Sequence, residues 1–548
     1  MQYENVYSLF RSQCAKYGDT PVFYTKSDNV WHSRTWKEFG TAVHELASAF
    51  IEKGLTRGAS VAILAGNIPE WAIADIAAIA AGGVGVGIYP TSSAEQCKYI
   101  IDHSDAEFVI VDTEAQLEKL AGLELKKVKE IILVQGTSPG DNRVTRFKDA
   151  LDLGREKLAA NLPIIEALAQ GIKLDDIAIM VYTSGTTGDP KGAMLSHRYI
   201  LNSVESLRQS IPIFDFDVAF SYLPGCHVAE RISGIYNRLY NGTPAYFVDD
   251  LSRLYEYMLE VRPTVFASLP RFFEKIHASL MSDSEASADR FDPQKVKDAF
   301  GGRIRLLTSG GAPLPNEIAR FFADADVPIL QAYGLTENIC VAFNTVEHLK
   351  FGTVGRPMPM CDVRIAEDGE IQVKSPMMFS GYYKQPDKTA EMFTEDGWLK
   401  TGDLGEQDAD GFLKITGRKK EIIVLSSGKN IAPALIENLV KEDYLISNCF
   451  VYGDGRSYCV ALITLNQAEA GFKGDYAEMA DSPELLDRVA QTVERANSRV
   501  SRSEQIKRWK ILDRDLSALY DEVTPTAKLK RAEVTKNFKD VLENLYEN

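Results

Sequence analysis

Immediately after the apolar run Ile177 to Tyr182, the chain reads Tyr182-Thr-Ser-Gly-Thr-Thr-Gly-Asp-Pro-Lys-Gly192. Hydroxyls, three glycines and a lysine within eleven residues supply backbone N–H groups, side-chain donors and one positive charge, the means of wrapping a polyphosphate. It is not a Walker loop, because Pro190 stands where that motif requires glycine before the lysine. A second constellation follows in Ser309-Gly-Gly-Ala-Pro-Leu314 and Tyr333-Gly-Leu-Thr-Glu337. Glycines after a strand let a flat ring approach the backbone, and Tyr333 can stack on a purine. Thr336 can donate to a phosphate and Glu337 can hold Mg²⁺. In Gly397-Trp-Leu-Lys-Thr-Gly-Asp403 and Asp410-Gly-Phe-Leu-Lys-Ile-Thr-Gly-Arg418, the Asp can accept both hydroxyls of a ribose and the Arg can add a donor to the same sugar. Near the end, Thr524-Pro-Thr-Ala-Lys-Leu-Lys-Arg531 offers a lysine able to reach a site in another domain and offset negative charge.

These segments need a scaffold, and the apolar pattern provides one. Val61 to Leu64, the helical stretch Pro69 to Ala81 and Val84 to Tyr89 form a strand-helix-strand unit. With Phe108 to Val111 and Ile131 to Val134, the first 170 or so residues read as a parallel sheet wrapped by helices. Further strands at Ile177 to Tyr182, Ala245 to Val248, Val265 to Ser268, Ile304 to Ser309 and Ile329 to Ala332 predict a second α/β sheet. Ala193 to Ser196 has a strand-like pattern. From about Asn344 the pattern turns to hairpins around Asp368-Gly369 and Asp410-Gly411, turn steps that favour positive φ, with strands at Val363 to Ile365, Glu370 to Val373 and Phe412 to Ile415. The charged run Gly417 to Glu421 marks a boundary. Beyond it, strands at Ile422 to Leu425 and Cys459 to Thr464 alternate with helices. One helix is capped by Ser482, opens with Pro483 and carries Leu485, Val489, Val493, Ala496 and Val500 at helical spacing. The acid-rich stretch Ser282 to Asp292 reads as a solvated surface insertion.

Composition removes several classes. A chain of 548 residues with 45% hydrophobic and 25% charged residues is a multidomain globular protein, neither disordered nor polytopic. A net charge of -16 gives no long-range attraction to nucleic acid, so an anionic ligand must be held by local groups. Seven scattered cysteines without a CxxC pair suggest neither a disulfide framework nor a zinc site, and point to a reducing compartment. The N-terminal stretch lacks the apolar core of a secretory signal. The window Ala72 to Tyr89 is broken by Asp75 and four glycines, so it reads as a buried helix and strand and not a membrane span. The expected location is cytoplasmic, with peripheral contact at the inner membrane face as the one membrane role left open.

The loop at Thr183 to Gly192 resembles the phosphate loop of the adenylate-forming superfamily (acyl-CoA synthetases, luciferases and nonribosomal adenylation domains), and the other segments follow in that family's order over nearly the whole chain. The run Asp396 to Asn430 is similar to the fatty-acyl-CoA synthetase signature. Ser221-Tyr-Leu-Pro-Gly-Cys-His-Val-Ala-Glu-Arg231 resembles a long-chain segment, and Ser268 to His277 a stretch near a fatty-acid tunnel entrance. The resemblance implies a multidomain α/β protein. Its large N-terminal domain (residues 1–418) would hold two α/β sheets and a small β-barrel-like unit; its C-terminal domain (residues 419–548) would be smaller, mobile and α+β. It implies ATP contacts from Thr183, Ser184, Gly185, Thr186, Thr187 and Lys191, adenine between Gly311 and Tyr333 with Ala312 beside it, and AMP ribose held by Asp403 and Arg418. Thr336 and Glu337 would serve phosphate and catalysis, Thr183 and Glu337 the Mg²⁺, and Lys528 would be the catalytic lysine, with Lys530 and Arg531 as nearby alternatives. His227, Gly310, Gly334 and Lys429 would lie in the acyl and CoA vicinity, and Lys420 would be the hinge. The implied activity is AMP-forming ligation of a long-chain fatty acid to CoA using ATP and Mg²⁺, with these substrates and no nucleic acid as partners. Neighbouring alternatives are a fatty acyl-AMP ligase or a ligase for another carboxylic acid. A nucleotidase and an inactive lipid-binding relative are more distant ones.

Overall fold

The computed structural model describes residues 2–137, 142–183, 189–286, 292–443, 445–472, 474–524 and 528–547. Its largest sheet has seven strands in the spatial order Val144–Arg146, Glu130–Leu133, Ala106–Val111, Ser60–Leu64, Val84–Ile88, Ile177–Thr183 and Lys191–Ser196. All neighbours are parallel except the last pair, which is antiparallel. The inner strands Ser60–Leu64 and Val84–Ile88 are buried along their whole length, as continuous apolar runs covered on both faces must be. Ile177–Thr183 thus completes the first sheet, pairing with Val84–Ile88, and does not open a second one as the sequence order suggested. Periodicity identifies a strand but not its partner.

Ala245–Phe247 likewise leaves the expected second sheet. It joins Ala219–Ser221 and the hairpin Pro21–Ser27/Val30–Thr35 in a separate four-stranded sheet, and the hairpin turns at Asp28 and Asn29, both at positive φ. The second α/β sheet itself runs Val265–Ser268, Leu306–Ser309, Ile329–Leu335, Asn338–Phe343 and Arg356–Pro357, parallel at first and antiparallel from the third strand on. Asp362–Ile365, Glu370–Lys374, Leu399–Gln407 and Leu413–Arg418 form an antiparallel four-stranded unit, with Gly369 and Gly411 at positive φ in its turns.

Past Arg418, a three-stranded sheet (Ile446–Tyr452, Cys459–Leu465, Ile506–Ile511) packs with the helices Pro433–Val440 and Pro483–Asn497. Two apolar clusters are built from residues 423–542 alone. Among the described residues no buried cluster mixes these with residues before 418. Ser482 precedes Pro483 as expected but makes no side-chain cap, and Val500 lies beyond the helix, which ends at Asn497, while still packing on its core. Part of the acid-rich stretch is helical: Pro270–Ala286 runs through Ser282 to Ala286, while residues 287–291 lie outside the described residues. Among the described residues no helix is long and apolar enough to cross a membrane.

Candidate active site

The loop after Thr183 is the connection of a β-hairpin. Thr183 and Lys191 are the last residue pair before the strands part, so hydroxyl and ammonium flank its mouth. Ser184, Gly185, Thr186 and Thr187 lie outside the described residues. The Lys191 Nζ stands 4.9 Å from the centroid of the Tyr382 ring, a cation–π contact. Burial, with Lys388 and Lys420 nearby, lowers its pKa. Tyr382 donates its phenol to Glu337 Oε1, which, after burial, helps to raise the Tyr382 pKa. The segment bearing Tyr382 is sewn to both sides: Tyr383 N–H donates to Gly192 O at 2.8 Å and Phe379 N–H to Glu337 O at 2.8 Å. Tyr382 thus bridges Lys191 and Glu337. Reading the sequence did not single it out, since a tyrosine after a glycine carries no signal of its partners.

Thr336 and Glu337 occupy the turn between Ile329–Leu335 and Asn338–Phe343, where Leu335 pairs with Asn338. The turn is pinned from below by Tyr199, whose hydroxyl donates to Thr336 O at 3.0 Å and accepts from Ile339 N–H at 3.1 Å. Gly334 is required there, because a Cβ would sit 1.9 Å from Ile339 O. Gly310 and Gly311 follow the neighbouring strand, Gly311 at φ +79 with Leu269 Cδ2 only 3.3 Å from where its Cβ would be, and Ala312 is exposed. The Ser309 hydroxyl beside them is buried without a hydrogen-bond partner among the described residues. Glu337 and Thr183 offer one carboxylate and one hydroxyl, oxygen donors suited to Mg²⁺ that keeps phosphate oxygens and water as its other ligands.

Asp403 and Arg418 face each other across two strands. Arg418 Nε donates to Asp403 Oδ1 at 2.8 Å and Tyr333 Oη to Oδ2 at 2.6 Å, so Tyr333 is held by its hydroxyl with its ring fixed. Each carboxylate oxygen retains a lone pair for a sugar hydroxyl. Burial and then Asp403 raise the Tyr333 pKa.

Lys528 arrives from the other unit. The charges that act on it are Arg418, Asp403, Glu421 and Glu337; its side chain is exposed, and partial desolvation in the cleft, then Arg418, lower its pKa. Its loop is closed by Thr524 N–H donating to Lys528 O at 2.8 Å and by the Val523–Leu529 bridge. Of the two alternatives, Lys530 pairs with Asp521 and Arg531 with Glu437, partners within the smaller unit, whereas Lys528 lies in the field of Asp403 and Arg418. His227 has its pKa pushed down to about 4, by burial first and then by Lys528. Ala229 N–H donates to its Nδ1 at 3.2 Å, which leaves the ring proton on Nε2. Lys420 sits in the one-turn helix Lys419–Glu421 between the two units. Lys429 stands apart from this group, in a cleft of about 390 Å³ lined by Ser427, Ser501, Arg502, Ser503 and Lys507.

Behind His227 begins a π-helix, Ala229–Tyr236, an uncommon form often found at functional sites. Its Arg231 is fully buried and paired with the equally buried Asp75. Reading the sequence noted Asp75 only as a charge in an apolar window.

A large α/β unit with phosphate- and ribose-binding chemistry along its edge, met by a lysine from a smaller unit, defines a nucleotide-dependent enzyme whose site is assembled from two bodies. The AMP-binding enzyme family matches residues 10–383 and the AMP-binding enzyme C-terminal domain matches residues 420–548; the chain belongs to this family. It is 33% identical to the long-chain-fatty-acid--CoA ligase FadD15 of Mycobacterium bovis, over 96% of this chain and 94% of the relative. It is 31% identical to the peroxisomal long chain acyl-CoA synthetase 6 of Arabidopsis thaliana, over 95% of this chain and 82% of the relative. In fold it resembles the adenylation domain of a carboxylate reductase from Mycobacterium chelonae, with a TM-score of 0.80 at 22% identity over 99% of this chain and 91% of that one.

Proposed function

We propose that this protein is an AMP-forming ligase that activates a long-chain fatty acid with MgATP and transfers the acyl group to CoA. The observation that carries this reading is the placement of Lys528, from beyond residue 418, within electrostatic reach of Asp403, Arg418, Glu337 and His227, together with similarity over most of the chain to proteins named long-chain acyl-CoA ligases. A carboxylate is a poor electrophile and must first lose its charge. In-line attack of its oxygen on the α-phosphorus of ATP gives acyl-AMP and releases pyrophosphate. Lys191, Thr183 and the loop between them hold the polyphosphate, Glu337 and Thr183 the accompanying Mg²⁺, Thr336 a phosphate oxygen, and Asp403 and Arg418 the ribose. Lys528 offsets charge that develops between the carboxylate and the phosphate. His227, neutral at working pH, lines the junction of acyl and nucleotide sites with Gly310 and Gly334 and transfers no proton.

In the second step the unit formed by residues 419–548 rotates on that of residues 1–418 about Lys420, withdrawing Lys528 and presenting the turn at Gly428 to Asn430. The cleft beside Lys429, with Arg502, Lys507 and four serines, has the chemistry to hold the phosphates of CoA. The thiol then attacks the acyl carbonyl and AMP leaves. A cytoplasmic location, with peripheral contact at the inner membrane face where insoluble acids reside, accords with the reduced cysteines. The test is mass spectrometry of products formed from ATP, Mg²⁺, CoA and an equimolar series of acids from acetate to long-chain fatty acids. AMP with long-chain acyl-CoA is expected. Acyl-AMP without thioester moves the protein to the adenylate-only ligases, a shorter or different acyl-CoA revises the substrate, and ADP refutes the mechanism.

A further inference from the structure

Arg531, three residues after Lys528, is clamped on two sides. Its Nη2 donates to both carboxylate oxygens of the buried Glu437 at 2.5 Å, its Nη1 donates to Val451 O at 3.2 Å, and its guanidinium lies 5.3 Å from the Phe450 ring centroid. Its remaining donor, Nε, reaches Glu421 Oε2 at 3.5 Å. Glu421 is the last residue of the short turn Lys419–Glu421 joining the two units. Its carboxylate also acts on Arg418 and on Lys528, so one acid serves cations from both units, Arg418 from the larger and Lys528 and Arg531 from the smaller. Arg418 and Lys528 repel each other across the same space, and a negative charge between them reduces that cost.

We propose that Glu421 and Arg531 are positioning residues for the adenylation step: the hinge carboxylate ties the lysine loop to the turn about which the C-terminal unit moves, and holds Lys528 beside Arg418. Neither residue touches the reacting atoms; both act through Lys528. The inference rests on the reading of Lys528 as the adenylation lysine, and Lys528→Ala serves as its control. Arg531 is anchored mainly by Glu437, deep in the C-terminal unit, so Arg531→Lys keeps the charge and loses the fork. Glu421 is partly exposed, and Glu421→Gln removes its charge with little change of shape.

The two half-reactions are followed separately: pyrophosphate release with acid and ATP, and thioester formation from supplied acyl-AMP and CoA. Glu421→Gln is expected to slow adenylation about five- to tenfold, about 1 to 1.4 kcal/mol at the transition state, and to leave thioester formation within about twofold. The alkaline limb of its adenylation profile, where Lys528 loses its proton among Arg418, Asp403, Glu337 and His227, moves to lower pH, because a carboxylate that favours the ammonium is gone. Arg531→Lys shows the same split, and the double variant is no slower in adenylation than the slower single, since both changes break one link. Equal slowing of both half-reactions, an unmoved alkaline limb, or no change in either variant overturns the proposal. If Lys528→Ala adenylates normally, it is the assignment of the lysine that fails; if Lys528→Ala fails while Glu421→Gln behaves as wild type, it is this inference.

Discussion

Arg231→Met is the most exacting test of the frame behind His227. Arg231 and Asp75 are both wholly buried. Arg231 donates through Nε to Asp75 Oδ2 at 3.2 Å, through Nη2 to Oδ1, and through Nη1 to Met180 O at 3.2 Å, while Tyr236 adds its hydroxyl to Oδ2 at 2.7 Å. The site has no slack: a Cβ on Gly85 would lie 2.0 Å from Asp75 Oδ1, and Trp71 covers the guanidinium at 4.9 Å. Methionine fills most of the arginine stem but leaves a buried carboxylate with one phenol for company, which costs about 3 to 5 kcal/mol. A domain of about 400 residues has an unfolding entropy of about 0.8 kcal/mol/K, so the melting transition of the large unit falls by about 5 °C. Asp75→Ala, which strands the arginine instead, falls by a similar amount. The double variant removes both charges and melts above the sum of the two losses by the equivalent of about 3 kcal/mol. Scanning calorimetry of the four proteins decides it. Additive losses, or a shift below about 1 °C for Arg231→Met, would show that the pair carries no such burden. Because the π-helix starting at Ala229 follows His227 directly, the folded variant should raise KM for the fatty acid more than KM for ATP.

Lys420→Pro removes the freedom of the hinge backbone, since proline fixes φ, and is expected to impair thioester formation more than adenylation when the two half-reactions are measured apart; equal loss of both refutes a two-position C-terminal unit. His197, buried against the N-terminal helix, accepts Val6 N–H on Nδ1 at 3.2 Å, and burial pushes its pKa down to about 4 from 6.5. The folded state therefore keeps it neutral, and the stability it contributes is whole above pH 6.5 and lost as pH falls toward 4, up to about 3 kcal/mol. Denaturation midpoints between pH 7 and 4 should fall less steeply for His197→Gln than for wild type, and parallel curves would dismiss His197 as a source of acid lability.

How much could be read from sequence follows from how local each feature is. The hydroxyl- and glycine-rich loop declares itself because its chemistry lies within a few consecutive residues. Asp403 and Arg418 were legible as a pair because the Asp410-Gly411 turn folds the chain back between them, yet an irregularity between Leu404 and Gly405 is what sets Arg418 and not Gly417 opposite Asp403, and no residue pattern announces such a shift. Strands were legible from apolar runs, but the sheet to which Ile177–Thr183 and Ala245–Phe247 belong was not, since both runs would be equally buried in either place. The Asp75–Arg231 pair, 156 residues apart, was invisible in principle: an isolated charge in an apolar stretch signals that a partner exists without naming it.

The charge of -16 and a polyanionic substrate are reconciled by the same long-range placements. Lys191 has its pKa lowered in part by Lys388 and Lys420, and Lys528 in part by Arg418, so the cleft concentrates cations that repel one another inside an acidic protein. That repulsion is relieved when phosphate enters and returns when pyrophosphate leaves, which is how local charge substitutes for a basic surface. In the proposed cycle the return matters as much as the relief. Once pyrophosphate has gone, the single phosphate of acyl-AMP is the ligand anion left to hold Lys528 against Arg418, so its withdrawal with the C-terminal unit is easier at the moment the thiol needs the space.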